Sequence, residues 1–321
     1  MRAPTYEMFN YNFRPAKAIE RKIFLDVLKE IYGVSPGLDC KYIGFGSVFF
    51  ADFKMIHKEL NINTMINIES NEDDKKRFEF NRPFKCIDLK WGLSTDVLPT
   101  LDWRGRSIIW MDYDDKLQIS MFDDLDLIFT NSAPGSFYFF TCNSSLSKYE
   151  NKETKIYEPD RFINDFDGYA SPNLKPEDLI GANSPSLIRD MLIKRISRVL
   201  DDRNALKEKS ERIGFSQVLN IKYRDGAAMY SFGGYIDTEE NLVRLAKTNL
   251  KKLPFVRNNR EMIDLRSPVI TNQEIDLMNS YLPHSEKSFM TLKKLSFIPN
   301  DEKMKYFNTY RHYPYYAELR S

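Results

Sequence analysis

Charge imbalance is absent from this sequence. Lys and Arg number 47 against 46 Asp and Glu, leaving +1 over 321 residues. That balance argues against a chain-wide basic surface of the kind that drives nonspecific nucleic-acid binding, although it leaves nucleic acid open as a partner through a local patch. Long apolar runs are also missing: no stretch reaches the roughly 18 residues of a membrane-spanning helix, so no membrane partner is expected. Three cysteines are too few for a disulfide framework at this length. The three histidines show no zinc-like spacing with them, so no metal site is assigned there. The chain has no Gly-Lys-Ser/Thr phosphate loop, no metalloprotease motif and no Ser-His-Asp arrangement. Met1-Arg2-Ala3-Pro4 lacks the apolar core of a signal peptide. These absences together lead to the expectation of a cytoplasmic protein.

What is present is a composition able to build a core, with 42% hydrophobic and 14% aromatic residues, enough for one large domain or a domain with an appendage. Arg14-Pro15 opens an expected helix in which Ile19, Ile23, Val27, Leu28 and Ile31 recur at helical spacing before Gly33. Short apolar runs over 41–45, 64–69, 84–89, 107–113 and 136–141 then alternate with helical stretches. That rhythm predicts a parallel sheet wound through right-handed crossovers. Residues 143–185 are polar and aperiodic, and are read as an insertion or lid. The stripe Leu187, Ile188, Met191, Leu192, Ile196, Val199 and Leu200 makes a further helix. Two β-rich runs joined by Arg224-Asp225-Gly226 predict a hairpin. The tail is helical and charged, with Thr271 and Glu274 spaced as a capping box, and Tyr306, Phe307, Tyr310, Tyr313, Tyr315 and Tyr316 crowd its end. The fold class is therefore α/β: a doubly wound, mostly parallel seven-stranded sheet ending in an antiparallel hairpin. The divisions are a helical segment over 1–38, a Rossmann-like domain over 39–237 and a helical extension over 238–321.

Four groups carry possible chemistry. Gly44-Phe45-Gly46, at the end of the first strand, permits close approach of backbone to a ligand, or is simply a tight turn. Glu69, 23 positions beyond Gly46 and ending the second strand, is placed to accept both ribose hydroxyls of a nucleoside, or else complements the dipole of the next helix. Asp88, expected at the end of the third strand before Trp91-Gly92-Leu93-Ser94, is a candidate for the adenine side. Asp112-Tyr113-Asp114-Asp115-Lys116 puts three acids within four positions at the carboxyl edge of the sheet, where ligands bind in open α/β folds. Clustered like charges are costly unless a cation or proton compensates, so the group is a site candidate, with Asp112 nearest the strand end.

This succession of strand-end groups, followed by a terminal hairpin, resembles the class I S-adenosylmethionine-dependent methyltransferase family over about residues 39–237. The resemblance implies that Gly44, Gly46, Ser47, Glu69, Asp88 and Asp112 line an S-adenosylmethionine site, and that Asp112, Tyr113 and Asp114 face the methyl acceptor. Two positions depart from the family pattern. Tyr42 stands where an acid precedes the glycines, and Val48 stands at the third glycine. The strand-four end lacks the Asn/Asp-Pro-Pro-aromatic sequence of the family's amino-methylating nucleic-acid enzymes, which favours O-methylation of a small or macromolecular acceptor. Some members of the family hold Mg²⁺ with acids in this region, so a divalent ion is a further expectation. The competing readings are an NAD-dependent oxidoreductase, against which Phe49 occupies the third glycine position of Gly-x-Gly-x-x-Gly, and a non-catalytic subunit that keeps the fold to engage a partner.

Overall fold

The computed structural model describes residues 14–33, 39–245 and 249–314. Helix α1 (Pro15–Tyr32) begins with proline at its first turn, where the missing N–H costs nothing. Then β1 (Cys40–Gly44), α2 (Ala51–Leu60), β2 (Thr64–Glu69), α3 (Lys75–Asn81), β3 (Ile87–Trp91), α4 (Ser94–Val97), β4 (Arg106–Lys116), α5 (Ser120–Asn131) and β5 (Ser136–Asn143) alternate along the chain. After α6 (Pro159–Asp165) and α7 (Ser184–Asn204) come the long partners β6 (Ile213–Asp225) and β7 (Ala227–Thr238). The remainder holds α8 (Glu239–Leu245), β8 (Ile263–Leu265), α9 (Asn272–Asn279), α10 (Glu286–Met290) and α11 (Asn300–Thr309).

The strands form one sheet in the order β3-β2-β1-β4-β5-β7-β6-β8. β1 to β5 are mutually parallel, and β7 is antiparallel to both β5 and β6. The expected hairpin is therefore present, but the count differs. The sheet has eight strands because the tail, read as wholly helical, lays β8 parallel to β6. Three residues are too short a run for period-two patterning to show in sequence. The strand order reverses between β1 and β4, so the crevice at their carboxyl ends is the place where such sheets take ligands.

Each face of the sheet is covered. On one, α1 and α2 pack over Tyr42, Trp110, Phe137 and Phe139; Phe24 of α1 stacks on Phe139 with centroids 4.6 Å apart and meets Trp110 edge-on at 4.7 Å. On the other, α5 and α7 pack over Ile109, Met111, Tyr138 and Phe140. The insertion belongs to this second core. Leu146, Tyr149, Phe162, Phe166 and Leu179 are buried in it, and α6 forms within it. The aperiodic lid expected over 143–185 is thus a folded layer, held by a few widely spaced apolar residues rather than by a repeating stripe.

Helix α1 runs antiparallel to the central strands. Asp225, in the hairpin turn, accepts hydrogen bonds from the Ala16 and Lys17 amides at 3.2 and 2.8 Å and so caps the helix start. At the other end, Tyr32 donates to the Gly135 carbonyl at 2.8 Å, just ahead of β5. The first turn of α1 is thereby fixed over the carboxyl edge of the sheet. In the tail, Thr271 and Glu274 form the expected capping box, and α9 to α11 bury Met278, Phe289, Leu295 and Tyr306 in a small cluster of their own. Tyr315 and Tyr316 lie outside the described residues.

Candidate active site

The carboxyl ends of β1, β2 and β4 bring Gly44, Gly46, Ser47, Glu69, Asp112 and Asp114 to one edge. Both glycines are required by close packing. A Cβ on Gly46 would stand 2.5 Å from the Asn67 amide oxygen and 2.9 Å from Phe53, and one on Gly44 would stand 3.0 Å from the Trp110 carbonyl. The Gly46 N–H donates to Asn67 Oδ1 at 2.5 Å, so this amide braces the turn rather than meeting a ligand. Asn67 is fully buried in β2, and sequence reasoning missed it. The signal was one amide in the otherwise apolar stretch Met65-Ile66-Asn67-Ile68. Tyr42, at the position of the family's acid, is buried beneath Gly44 and meets Phe53 edge-on at 4.9 Å. Ser47 lies in the turn, where its hydroxyl accepts from the Phe49 amide at 3.3 Å.

Glu69 ends β2 as expected, with Oε1 accepting the Asn71 amide at 2.8 Å. Burial raises its carboxyl above the ordinary value, with Asp74 and Asp114 adding to the rise and the Asn71 and Ser70 amides opposing it. Asp88 is displaced from its expected place. Strand β3 extends to Trp91, which leaves Asp88 at the second of five positions, exposed on the sheet's edge strand and paired with Lys90 at 2.8 Å. The strand-three end consists instead of Trp91 and the turn Gly92-Leu93-Ser94, and the Gly92 amide donates to the Glu69 carbonyl at 3.0 Å.

Asp112 has a partner that the sequence spacing hid. Lys17 of α1 donates to its Oδ1 at 2.7 Å and stands 2.8 Å from Glu20 Oε2. Lys17 and Glu20 are fully buried, while Asp112 remains about one-eighth exposed and is the member of the group that faces outward. Burial by itself would lower the Lys17 ammonium pKa, but Asp112, Glu20 and Asp52 overcome it and the net direction is up. The Glu20 carboxyl is raised, chiefly by burial. Its Oε1 accepts from Ser231, whose hydroxyl is 2.9 Å from that of Thr141, and Trp110 Nε1 donates to Thr141 at 3.3 Å. One turn along α1, Arg21 pairs with Asp52 at 2.5 Å. The ion Asp112 needs is thus a lysine 95 positions away. In sequence, Lys17, Glu20 and Arg21 read only as charges on an amphipathic helix.

The rest of the acidic stretch diverges, because β4 runs on to Lys116 and successive side chains point to opposite faces. Asp114 and Asp115 are exposed, and Lys116 donates to Ser147 at 2.9 Å. Tyr113 faces away from Asp112 and donates to Asp124 of α5 at 2.6 Å, so its hydroxyl is turned from the edge where an acceptor would bind. Among the described residues no three His, Cys, Asp or Glu side chains converge as a divalent ion requires, and the Mg²⁺ expectation gains no support from these acids. Beyond Asp115 an opening of about 500 Å³ separates the end of β4 from the insertion, with Leu117, Ile119, Lys148 and Phe166 in its wall.

This sheet order, with its glycine turn at the reversal point, an acid ending the second strand and Asp112 within the fourth, is that of a class I S-adenosylmethionine-dependent methyltransferase. Residues 9–321 match the family described as "Putative O-methyltransferase", and the chain belongs to that family. No curated protein matches the sequence. Among solved structures, Trm1 from Pyrococcus horikoshii in complex with S-adenosyl-L-methionine is similar at 11% identity and a TM-score of 0.46, over 70% of this chain and 56% of that one. The O-methyltransferase from Bacillus cereus in complex with SAH is similar at 13% identity and a TM-score of 0.35, over 67% and 80%. TomG, an O-methyltransferase from Streptomyces achromogenes in complex with SAM, stands at 13% and 0.36, over 68% and 79%. The chain therefore spans little more than half the length of the first of these.

Proposed function

We propose that the chain transfers a methyl group from S-adenosylmethionine to an oxygen acceptor, small or macromolecular, at the β1–β4 crevice. The residues present fit such a cofactor. Glu69 closes the strand beside the glycine turn with a partly exposed carboxylate suited to two ribose hydroxyls. S-adenosylmethionine supplies an electrophilic methyl on a sulfonium, so the work left to the protein is alignment and, where the acceptor needs it, proton removal. Glu69 would hold the ribose. Gly44 and Ser47 would flank the ligand at the end of β1, while Gly46, whose amide is taken by Asn67, would shape the turn behind them. The displaced Asp88 is replaced in this reading by the Trp91–Ser94 turn beside the adenine.

Asp112 carries the proposal. Its Oδ1 is fixed by Lys17, and the partly exposed carboxylate sits on the strand adjoining the glycine turn. A carboxylate so anchored is an oriented hydrogen-bond acceptor for an acceptor hydroxyl or its proton. Asp114, exposed two residues on, would bound the same side. The opening under Lys148 and Phe166 extends outward from there and would take the body of the acceptor. Isothermal titration with S-adenosylmethionine, its demethylated product and NAD tests this reading. Binding of the first two is expected. Binding of NAD alone would replace it with an oxidoreductase, and binding of none would leave a methyltransferase-fold subunit that acts through a partner.

A further inference from the structure

A second buried acid lies on the opposite face of the sheet from Lys17. Asp124 of α5 is 1% exposed. Its Oδ2 accepts from Ser94 Oγ at 2.5 Å and from Tyr113 Oη at 2.6 Å, while its Oδ1 is buried without a hydrogen-bond partner. Burial raises the carboxyl above its ordinary value, with the two hydroxyls opposing the rise. Its neighbours along the helix, Met121, Phe122, Leu125 and Ile128, are apolar core residues. A carboxylate with one unsatisfied oxygen is a poor way to fill that core, so its presence needs another reason.

The two donors supply one, because they come from different walls of the crevice. Ser94 is the first residue of α4, directly after the strand-three turn. Tyr113 follows Asp112 on β4, and its ring meets Phe45 of the glycine turn edge-on with centroids 5.1 Å apart. One carboxylate oxygen therefore ties the β3–α4 turn to the end of β4, and through Tyr113 and Phe45 to the β1 turn. Glu69 bounds the same space from β2.

We infer that Asp124 is a positioning residue for the nucleoside end of the cofactor site. It fixes the start of α4 and the Tyr113 ring so that the pocket is formed before the ligand arrives, without itself touching the ligand. Preorganisation of this kind raises affinity by removing the ordering cost of binding. The inference rests on the methyltransferase reading given above.

The test uses the full chain and two probes, S-adenosylhomocysteine and 5′-methylthioadenosine, which share the nucleoside. Asp124→Ala should bind both at least about tenfold more weakly and by the same factor, whereas Asp124→Asn, which keeps an acceptor oxygen in place, should stay within about threefold of the parent. Tyr113→Phe and Ser94→Ala each leave one bond intact and should each weaken both probes by a few-fold, about three to five. Folding is followed by circular dichroism and thermal melts, since a merely structural role would lower the melting temperature and leave the affinities unmoved. A folded Asp124→Ala with parental affinity overturns the inference. Should that variant fail to fold, parental affinity in both Tyr113→Phe and Ser94→Ala overturns it equally. A parent protein that binds neither probe overturns the inference and the methyltransferase reading together, whereas a parent that binds beside unaffected variants overturns the inference alone.

Discussion

Replacing Lys17 by methionine keeps the length and apolar body of the side chain and removes only its charge. The ammonium stands 2.7 Å from Asp112 and 2.8 Å from Glu20, and it is 1% exposed. Exposed ion pairs contribute about 0–1 kcal/mol, but this one is closed to water. Removing one partner of a buried pair strands the other charge at a cost of about 3–5 kcal/mol, a large share of the roughly 5–15 kcal/mol that holds a domain folded. The loss should depend on pH in a defined direction. Glu20 is already raised by burial and rises further when its cation is gone, while in the unfolded chain it keeps an ordinary carboxylate pKa. The folded variant therefore holds a proton that the unfolded chain has released, and stability falls as pH rises. The deficit should be small below the ordinary glutamate value of about 4.3, grow by up to about 1.4 kcal/mol per pH unit above it, and level off once the folded-state carboxyl has ionised. Urea unfolding of parent and Lys17→Met proteins at several pH values reads this directly. Adding Glu20→Gln should recover part of the loss at pH 8. A deficit under about 1 kcal/mol, flat across pH, would show that the cluster behaves as a solvated pair and would remove the basis for treating Asp112 as anchored.

Three further outcomes follow from the same geometry. Glu69→Ala should keep the fold and lose most cofactor affinity, since two charge-assisted hydrogen bonds of about 1.5–3 kcal/mol each would go; an unchanged dissociation constant discards the ribose assignment. Asp112→Asn should still bind cofactor yet lose methyl transfer by about 10²–10⁴-fold if the carboxylate accepts the acceptor's proton, with a smaller loss partly in KM if it only orients the acceptor. Normal turnover would move the search to Asp114 and the opening beyond it. Amide exchange within the insertion should be slow at Phe162 and Phe166, whose amides are hydrogen-bonded and whose side chains are buried; fast exchange there would restore the picture of a loose lid.

The central sheet was legible in the sequence because short, largely apolar runs alternate with helical stretches. The hairpin was legible because Asp225-Gly226 separates two such runs. Glu69 and Asp112 were found for the same reason, as acids that end apolar segments. Asp88 was misplaced because the run around it stops being apolar at Lys90 while the strand continues to Trp91. An edge strand with one exposed side tolerates charge where a central strand would not. Strand β8 lacked the length to show a period. The deeper omission was of partners rather than positions. Lys17, Asn67 and Asp124 are polar residues buried by the fold, and nothing in the sequence says what each of them meets. Only closure of the fold brings Lys17 to Asp112, or Ser94 and Tyr113 to one carboxylate oxygen.

The Asp225 cap on α1 has a bearing on how the molecule is made. Lys17 is bonded to a residue 208 positions further on, and Glu20 to one 211 positions away. During synthesis helix α1 leaves the ribosome more than 200 residues ahead of the turn that caps it, an interval of about 10–40 s at ordinary elongation rates. Throughout that interval the parallel strands can pair while the helix that covers their central face has neither its cap nor the serine that receives Glu20. A chain halted before residue 225 would carry the glycine turn, Glu69 and Asp112 but leave α1 without its cap.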